Sequence, residues 1–195
     1  MLTLKSDRDF STSIEEALNN IDKNWHEYEG LLIMGSHSPN QIEEKIEAIH
    51  QARIKKIPFL GICMGLQLAI IEYAQNVLDI PLATSEEIGK GIPVVKRLSQ
   101  LRVGIYPVEW ADKTVTMESH WHNFAFNKDW ADSYKKDWAI SYTKDVAEIM
   151  ELRNHPFFVG VQFHPEYQSV KDKPHKLLKG FIEACKQHTA VGRLV

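Results

Sequence analysis

The stretch "PFLGICMGLQ", residues 58–67, decides the fold because it joins an apolar strand to an apolar helix through a cysteine between two glycines. "PFLGI" predicts a buried strand, and "MGLQLAIIEYAQNVL" predicts a mostly buried helix. Gly61 and Gly65 permit a sharp turn that lifts the side chain of Cys63 above the end of the sheet. The positive end of the helix dipole favours a thiolate there, so the sequence predicts a nucleophile elbow.

The segments on either side of this stretch predict a parallel α/β fold. Residues 13–21 have the pattern of a helix, with Ser11 or Thr12 available as its cap. An apolar run at 30–34 predicts a buried strand, and the spacing of isoleucines over 41–56 predicts an amphipathic helix. Strand and helix alternate with short connections, which is typical of a parallel sheet that is covered on both faces.

The second half of the chain has a different pattern, in which short strands follow one another. Alternating or apolar runs predict strands over 102–110, 114–119, 138–143, 147–152 and 157–163. Residues 175–188 predict a closing amphipathic helix. We therefore expect an α/β fold with a mostly parallel sheet flanked by helices, and with antiparallel strands added in the second half.

Composition and charge exclude several classes of function. The 195 residues carry 23 basic and 26 acidic side chains, a formal net charge of -3, and predict one domain over residues 1–195. Without a basic stripe or a long apolar run, we expect no nucleic-acid partner and no membrane segment. Cys63 and Cys185 lack metal-type spacing, which favours a reducing cytoplasm. The chain has no G-x-x-x-x-G-K-[ST] phosphate loop, and no cofactor is predicted.

A cysteine nucleophile needs a general base, and the stretch "VQFHPEY" at 161–167 supplies one. His164 and Glu166 are two residues apart, so in extended backbone they face the same side. Glu166 would then orient the His164 ring while the other ring nitrogen meets Cys63. At the start of the helix, the backbone N–H of Met64 is expected to donate to the oxyanion of the intermediate.

The chain resembles class I (triad) glutamine amidotransferases, and in particular the amidotransferase domain of CTP synthases. The similarity lies in "GLLIMGS", "AIHQARIKKIPFLGICMGLQLAIIEYAQNV" and "AEIMELRNHPFFVGVQFHPEYQS". It implies a flavodoxin-like fold with Cys63 as the nucleophile, His164 as the base and Glu166 as its orienting group. It also implies that the chain carries no metal.

The same resemblance implies which residues surround the substrate. Gly35 and Ser36 would lie on the oxyanion strand, together with the N–H of Met64. Gln67 would reach the substrate, and Glu86 would meet the α-amino group of the substrate.

Two stretches depart from the pattern of the family. The oxyanion loop usually reads Pro-Gly-Gly, whereas this chain has Met34-Gly35-Ser36. The family also binds the α-carboxylate of glutamine with an arginine-rich segment, and the corresponding residues 118–127 contain no arginine. Polar groups such as Ser119 and His120, with Trp121 as a pocket wall, are the substrate-binding candidates there. Neutral histidine is a poor substitute for a guanidinium, so we expect weak binding of free glutamine.

Three hypotheses follow from the sequence. The first is hydrolysis of glutamine or a glutamine-like γ-amide, with ammonia passed to a separate synthase subunit. The second is a stand-alone or homo-oligomeric hydrolase of a γ-glutamyl compound or another modified amide. The third is a non-catalytic regulatory subunit with the same fold, which the intact set of Cys63, His164 and Glu166 disfavours.

The remaining candidates receive simpler interpretations. Cys185 lies on the apolar stripe of the last helix and is expected to be a packed core thiol. His120 and His122 lack carboxylate or cysteine partners at helpful spacing, so no metal site is predicted from them. His37 is interpreted as a surface loop residue.

Overall fold

A computed structural model of the chain describes residues 1–5, 8–36 and 40–192, and of residues 8–11 only the backbone. Its strands are β1 Leu2–Lys5, β2 Gly30–Ile33, β3 Phe59–Ile62, β4 Ala83–Ser85, β5 Ile92–Glu109, β6 Val115–Phe126, β7 Trp138–Thr143, β8 Val146–Leu152 and β9 Phe158–Val161. Its α-helices are α1 Arg8–Asn19, α2 Ile42–Ile54, α3 Met64–Asn76, α4 Ala131–Tyr134 and α5 Lys176–Gly192. Short 3-10 helices cover Trp25–Glu27, Lys128–Trp130 and Pro165–Gln168.

The main sheet has the strand order β1-β2-β3-β9-β8-β7. The neighbouring pairs β1-β2, β2-β3 and β3-β9 are parallel. The pairs β9-β8 and β8-β7 are antiparallel. The predicted fold class is therefore confirmed. Because β2, β3 and β9 are adjacent and parallel, their carboxyl ends meet at one edge of the sheet. Ligands of open α/β sheets bind outside such an edge.

Helices cover both faces of this sheet because successive strand residues point to opposite sides. Phe59 packs in one cluster of buried side chains with residues of α2 and α3. Leu60, the next residue of β3, packs in a second cluster with residues of α1 and α5. Every residue of β3 and β9 is buried, which explains why these strands read as continuous apolar runs rather than alternating ones.

A second sheet with the order β4-β5-β6 carries a long two-stranded ribbon. β5 and β6 pair in antiparallel fashion, and their ladder is interrupted between Arg97 and Arg102. The ribbon runs past Cys63, since the carbonyl oxygen of Trp121 lies 3.7 Å from its Sγ. This second sheet therefore forms a wall over the edge where the main sheet ends.

Several predicted boundaries are corrected by the structure. The first helix begins at Arg8, so Ser11 and Thr12 lie inside it and are not its cap. β5 begins at Ile92, ten residues before the predicted strand, and β6 continues to Phe126. Both extensions belong to the ribbon. Many side chains at the start of β5 are exposed, so the hydrophobic pattern there is weak, whereas the added end of β6 is mostly buried. None of the described helices combines the length and the apolar character needed to cross a membrane.

Candidate active site

Cys63 occupies a strained turn between β3 and α3. Its backbone has φ 55° and ψ -106°, a region that residues with a Cβ rarely adopt. The turn is tight because backbones meet on both sides of it: a Cβ on Gly61 would lie 2.6 Å from the carbonyl carbon of Gly65. A Cβ on Gly65 would in turn lie 2.1 Å from the carbonyl oxygen of Ile33. The two glycines thus have the packing role that the sequence predicts.

His164 follows β9 and is held by hydrogen bonds from two directions. Its Nδ1 donates to Oε1 of Glu166 over 2.7 Å, and its backbone N–H donates to the carbonyl oxygen of Ser119 over 2.7 Å. The imidazole also stacks on the ring of Tyr167, with centroids 5.3 Å apart. Since Glu166 only accepts, Nδ1 carries a proton, and Nε2 is the ring nitrogen that does not face Glu166.

Cys63 and His164 meet beside Gly35, at the end of β2. A Cβ on Gly35 would lie 3.1 Å from Cε1 of His164 and 3.4 Å from Cβ of Cys63. Burial by itself would lower the pKa of His164, but side-chain hydrogen bonds to Cys63 and Glu166 outweigh it and raise the pKa to about 10. The imidazole is therefore protonated at neutral pH.

A cavity of about 160 Å³ opens above the sulfur. Its described lining consists of Ser36, Cys63, Met64, Gln67, Glu87, Leu101, Trp121, His122, Asn123 and Phe124. The lining joins the end of β2, the elbow, the turn after β4 and the inner part of the ribbon. None of these side chains is a lysine or an arginine, and Glu87 is the carboxylate among them.

Two hydrogen-bond acceptors in this lining have no partner among the described residues. His122 donates from Nδ1 to the carbonyl oxygen of Phe124 over 3.0 Å, and burial lowers its pKa to about 3, so Nε2 is a bare acceptor at neutral pH. Gln67 donates from Nε2 to the same carbonyl oxygen over 3.2 Å, and its Oε1 is buried without a partner. Buried acceptors of this kind are satisfied by donors on a ligand or a water molecule.

The two adjacent glutamates after β4 have different positions. The carboxylate that lines the cavity belongs to Glu87, whereas Glu86 accepts a hydrogen bond from the backbone N–H of Arg97 over 2.7 Å. The cause is a turn at Ser85, whose hydroxyl accepts from the backbone N–H of Glu87 over 3.1 Å. Two adjacent glutamates offer no signal in the sequence for choosing between them.

Ser119 and His120 are also outside the described cavity lining. Ser119 contributes its carbonyl oxygen to the backbone of His164, and His120 lies in a buried ionic cluster behind the wall. Glu148 forms the centre of that cluster: it accepts from Arg102 over 2.6 Å and contacts Nε2 of His120 over 2.9 Å. The cluster anchors the ribbon to β8. Sequence reasoning missed this cluster because Glu148 is distant along the chain from Arg102 and His120.

The same cluster brings together three groups that could ligate a metal. The ligand atoms of His120, His122 and Glu148 lie within 4.8 Å of one another. However, the guanidinium of Arg102 already neutralises the Glu148 carboxylate, and a second cation beside it would be repelled. The arrangement therefore disfavours a metal ion at this cluster.

The other sequence candidates have simpler positions. Cys185 is fully buried on α5, where burial raises the pKa of its thiol to about 12. Trp121 lines the cavity and is 55% exposed, as a pocket wall would be. His37 lies outside the described residues.

The raised pKa of His164 leads to a prediction about stability. Its pKa is about 10 in the folded chain and 6.5 in an unfolded one, so the bound proton stabilises the fold fully below pH 6.5. That contribution is lost as the pH rises towards 10. We expect the melting temperature of the wild type to fall more steeply between pH 7 and pH 10 than that of His164→Asn. Parallel melting curves for the two proteins would contradict the assigned protonation.

Relatives of the chain include CTP synthases from several bacteria. The chain is 36% identical to the CTP synthase of Pelagibacter ubique over 88% of this chain and 38% of that protein. It is 38% identical to the CTP synthase of Phytoplasma australiense over 90% of this chain and 35% of that protein. The chain therefore spans little more than a third of the length of these relatives.

The fold is similar to that of solved amidotransferase structures. The glutaminase domain of Trypanosoma brucei CTP synthase with bound acivicin superposes with a TM-score of 0.82, at 20% identity, over 95% of this chain and 93% of that one. A glutamine amidotransferase from Thermotoga maritima gives a TM-score of 0.54 at 17% identity, over 97% of this chain and 91% of that one. The family model "Glutamine amidotransferase class-I" matches residues 7–184. The chain belongs to the class I glutamine amidotransferase family.

Proposed function

We propose that this chain hydrolyses the γ-amide of glutamine or of a glutamine-like compound and releases ammonia through a thioester on Cys63. One arrangement carries the proposal: a cysteine on a strained elbow beside a protonated histidine, whose ring is oriented by a carboxylate 2.7 Å away. This is the arrangement of nucleophile, base and orienting group that acyl transfer requires. Membership of the amidotransferase family supports the same chemistry.

In the first half of the reaction, the thiolate of Cys63 attacks the carboxamide carbon and forms a C–S bond. The carbonyl electrons move to oxygen, and backbone N–H groups of Met64 and of the Gly35-Ser36 segment stabilise that oxyanion. When the intermediate collapses, the C–N bond breaks and Nε2 of His164 gives its proton to the departing nitrogen. The products of this half-reaction are ammonia, the acyl thioester and a neutral imidazole.

In the second half, the neutral His164 accepts a proton from water while the water oxygen attacks the thioester carbon. Collapse of the second oxyanion breaks the C–S bond and returns the thiolate of Cys63. The acyl group leaves as a carboxylic acid, which ionises at neutral pH. His164 is protonated again, so the site is ready for another cycle.

The cavity lining supports an orientation for the substrate. Glu87, in place of Glu86, would pair with the α-ammonium group. The free acceptors on Gln67 and His122 would take hydrogen bonds from N–H groups of the substrate. Two unpartnered acceptors and one carboxylate in the described lining suit a ligand that offers several donors.

A modified amide is the second candidate substrate, favoured by one observation. Trp121 lines the cavity on the segment where the family resemblance implies an arginine, and the described lining has no cation. A γ-glutamyl compound whose α-carboxylate is masked would lose no charge-assisted contact when Trp121 stands in place of an arginine. The positions of Cys63, His164 and Glu166 support a catalytic role over a non-catalytic one.

A synthase unit is the partner that we propose for the released ammonia. The relatives, which extend well beyond the matched region, are CTP synthases. Ammonia that escapes into water is protonated and lost as a nucleophile. The ribbon offers an exposed apolar face beside the cavity, formed by Leu101, Val103, Ile105, Val115, Met117 and Trp121. Val103 and Trp121 are directly opposite in the ladder, so the face continues to the mouth of the cavity.

The proposed function is tested by measuring ammonia release from a panel of amides. The panel contains L-glutamine, L-asparagine, the α-amide of glutamine and γ-glutamyl alkylamides, with amine release measured for the last group. We expect turnover of at least one γ-amide and no turnover of asparagine, whose carboxamide is one methylene shorter. If the folded protein, with Cys63 reduced, cleaves none of the γ-amides, the proposed function is refuted.

Glu166→Gln is expected to lower kcat by about 10²–10³-fold and to change KM little, because it disturbs the orientation and charge of His164 rather than a contact with substrate. Steady-state kinetics on the best amide of the panel measure both constants. Glu183→Gln, an exposed change on α5, is the matched control and should retain wild-type kinetics. A loss confined to KM would make Glu166 a binding residue.

A further inference from the structure

Two carbonyl groups of β6 contact the two residues that meet at the elbow. The carbonyl oxygen of Ser119 accepts from the backbone N–H of His164 over 2.7 Å. The carbonyl oxygen of Trp121 lies 3.7 Å from the Sγ of Cys63. The residue between these two carbonyl groups is His120, whose side chain is buried at 3% exposure. A contact that fixes His120 therefore also fixes the strand against both Cys63 and His164.

Both ring nitrogens of His120 face hydrogen-bond acceptors. Nδ1 lies 2.9 Å from the carbonyl oxygen of Glu118, and Nε2 lies 2.9 Å from Oε2 of Glu148. Arg102 donates to the other oxygen of the Glu148 carboxylate over 2.6 Å, so this carboxylate acts as an acceptor at both oxygens. A neutral imidazole carries one N–H and could serve only one of the two acceptors, whereas an imidazolium serves both. The contacts therefore require an imidazolium at His120.

Glu148 connects this imidazolium to the segment that carries the base. Its backbone carbonyl oxygen accepts from the N–H of Gln162 over 2.9 Å, and Gln162 stands two residues before His164. Its side chain is fully buried and holds Arg102 from β5 and His120 from β6. One residue of β8 thus joins the main sheet to both strands of the ribbon. The position of the ribbon relative to His164 depends on this carboxylate and on its two cationic partners.

The imidazole of His120 is also held from its sides. The ring of Tyr106 meets it edge-on, with centroids 5.3 Å apart, and the centroid of the Phe163 ring lies 6.1 Å away. An apolar side chain at this position would remove the hydrogen-bond partner of Oε2 of Glu148 and of the Glu118 carbonyl in a buried site. Loss of a partner to a buried charge is costly, and movement of the strand is the way to relieve that cost.

We propose that His120 is a positioning residue for the nucleophile and the base. Its imidazolium, held by Glu148, keeps the adjoining carbonyl groups of β6 in contact with Cys63 and His164. This inference rests on the proposed function, and it adds a residue that acts through the backbone without touching the substrate. His120 differs in this respect from the neighbouring His122, whose side chain lines the cavity.

Alkylation of Cys63 by iodoacetamide tests this assignment without amide turnover, because the rate depends on the sulfur and its surroundings. We expect His120→Leu to slow alkylation of the Cys63 peptide and to lower kcat on the best amide of the panel, each by about ten- to a hundred-fold. A displacement of about 1 Å in a catalytic group can have an effect of that size. His120→Gln keeps a side-chain N–H for the Glu148 carboxylate and should recover part of both losses.

His50→Leu is the matched control for these variants. It removes a contact of the same 2.9 Å length between an imidazole and a buried carboxylate, that of Glu72, but on α2. It should keep the wild-type rates of alkylation and turnover. Wild-type rates in a folded His120→Leu, or equal losses in His50→Leu, would overturn the assignment. If His120→Leu does not fold, His120→Gln decides: reduced rates support the role of His120, and wild-type rates overturn it.

Nitrogen-15 NMR of the wild type measures the protonation of the ring itself, with the His120 signals identified by their absence from His120→Gln. We expect both ring nitrogens of His120 to carry protons at pH 7, and a single ring N–H would overturn the assignment. The proposed function can fail separately. Slower alkylation of Cys63 in His120→Leu, in a chain whose wild type releases no ammonia from any γ-amide, would refute the proposed function and support the positioning role of His120.

Discussion

Cys63→Ala is expected to abolish amide hydrolysis, with a loss of at least about 10⁴-fold in kcat. No other described side chain can form the covalent intermediate at this position, because the sulfur is the atom that the elbow, His164 and the cavity share. The backbone cost of the positive φ is the same for alanine as for cysteine, since both have a Cβ. The variant should therefore keep the fold, as circular dichroism and a melting curve would show.

Cys185→Ala is the matched control for this experiment. Cys185 is buried on α5, and its raised pKa keeps the thiol protonated at neutral pH. Removal of its sulfur should cost on the order of 1 kcal/mol of stability and leave kcat unchanged. Activity of Cys63→Ala near that of the wild type would eliminate Cys63 as the nucleophile, whereas equal losses in both variants would indicate a structural effect.

Gly65→Ala is expected to destabilise the fold by about 3 kcal/mol or more, which corresponds to a fall of roughly 6–12 °C in melting temperature. The added Cβ would lie 2.1 Å from the carbonyl oxygen of Ile33 and 3.0 Å from its carbonyl carbon. Because both atoms are backbone, the conflict is relieved only if β2 and α3 move apart. That movement would also displace the elbow, so activity should fall along with stability.

Gly180→Ala provides the matched control, since it makes the same change in α5. Its Cβ would lie 3.6 Å from the Phe157 ring, an ordinary contact. Alanine is the better helix former, so this variant should be more stable by about 0.5–1 kcal/mol. Thermal unfolding of both variants measures the difference. A melting temperature of Gly65→Ala equal to that of the wild type would show that the elbow is more loosely packed.

The residues that the sequence predicts best are those that lie in contiguous motifs. Cys63 lies between a buried strand and a buried helix, and His164 and Glu166 lie two residues apart at the end of another strand, so local spacing alone indicates their mutual geometry. The parallel arrangement of β3 and β9 then brings the two motifs together. The expectation that the two motifs meet rested on the chemistry of a cysteine nucleophile and on the family resemblance, because the pattern of the second half by itself predicts added antiparallel strands.

The parts that the sequence did not predict depend on contacts between distant segments. The sequence did not distinguish Glu87 from Glu86 because the turn at Ser85 decides which of the two glutamates lines the cavity. The start of β5 was not predicted as a strand because many of its side chains are exposed and the hydrophobic pattern there is weak. Glu148 was missed because its partners Arg102 and His120 come from the ribbon, whose pairing with the main sheet leaves no local signal.

The role of Cys63 as the nucleophile is tested most directly by mass spectrometry of the wild-type protein, quenched rapidly with acid after it is mixed with L-glutamine. We predict a mass increase of one γ-glutamyl group, located on the peptide that carries Cys63, and ammonia release before the adduct disappears. Ammonia release with no acyl adduct on Cys63, or an adduct on Cys185 instead, would contradict this role.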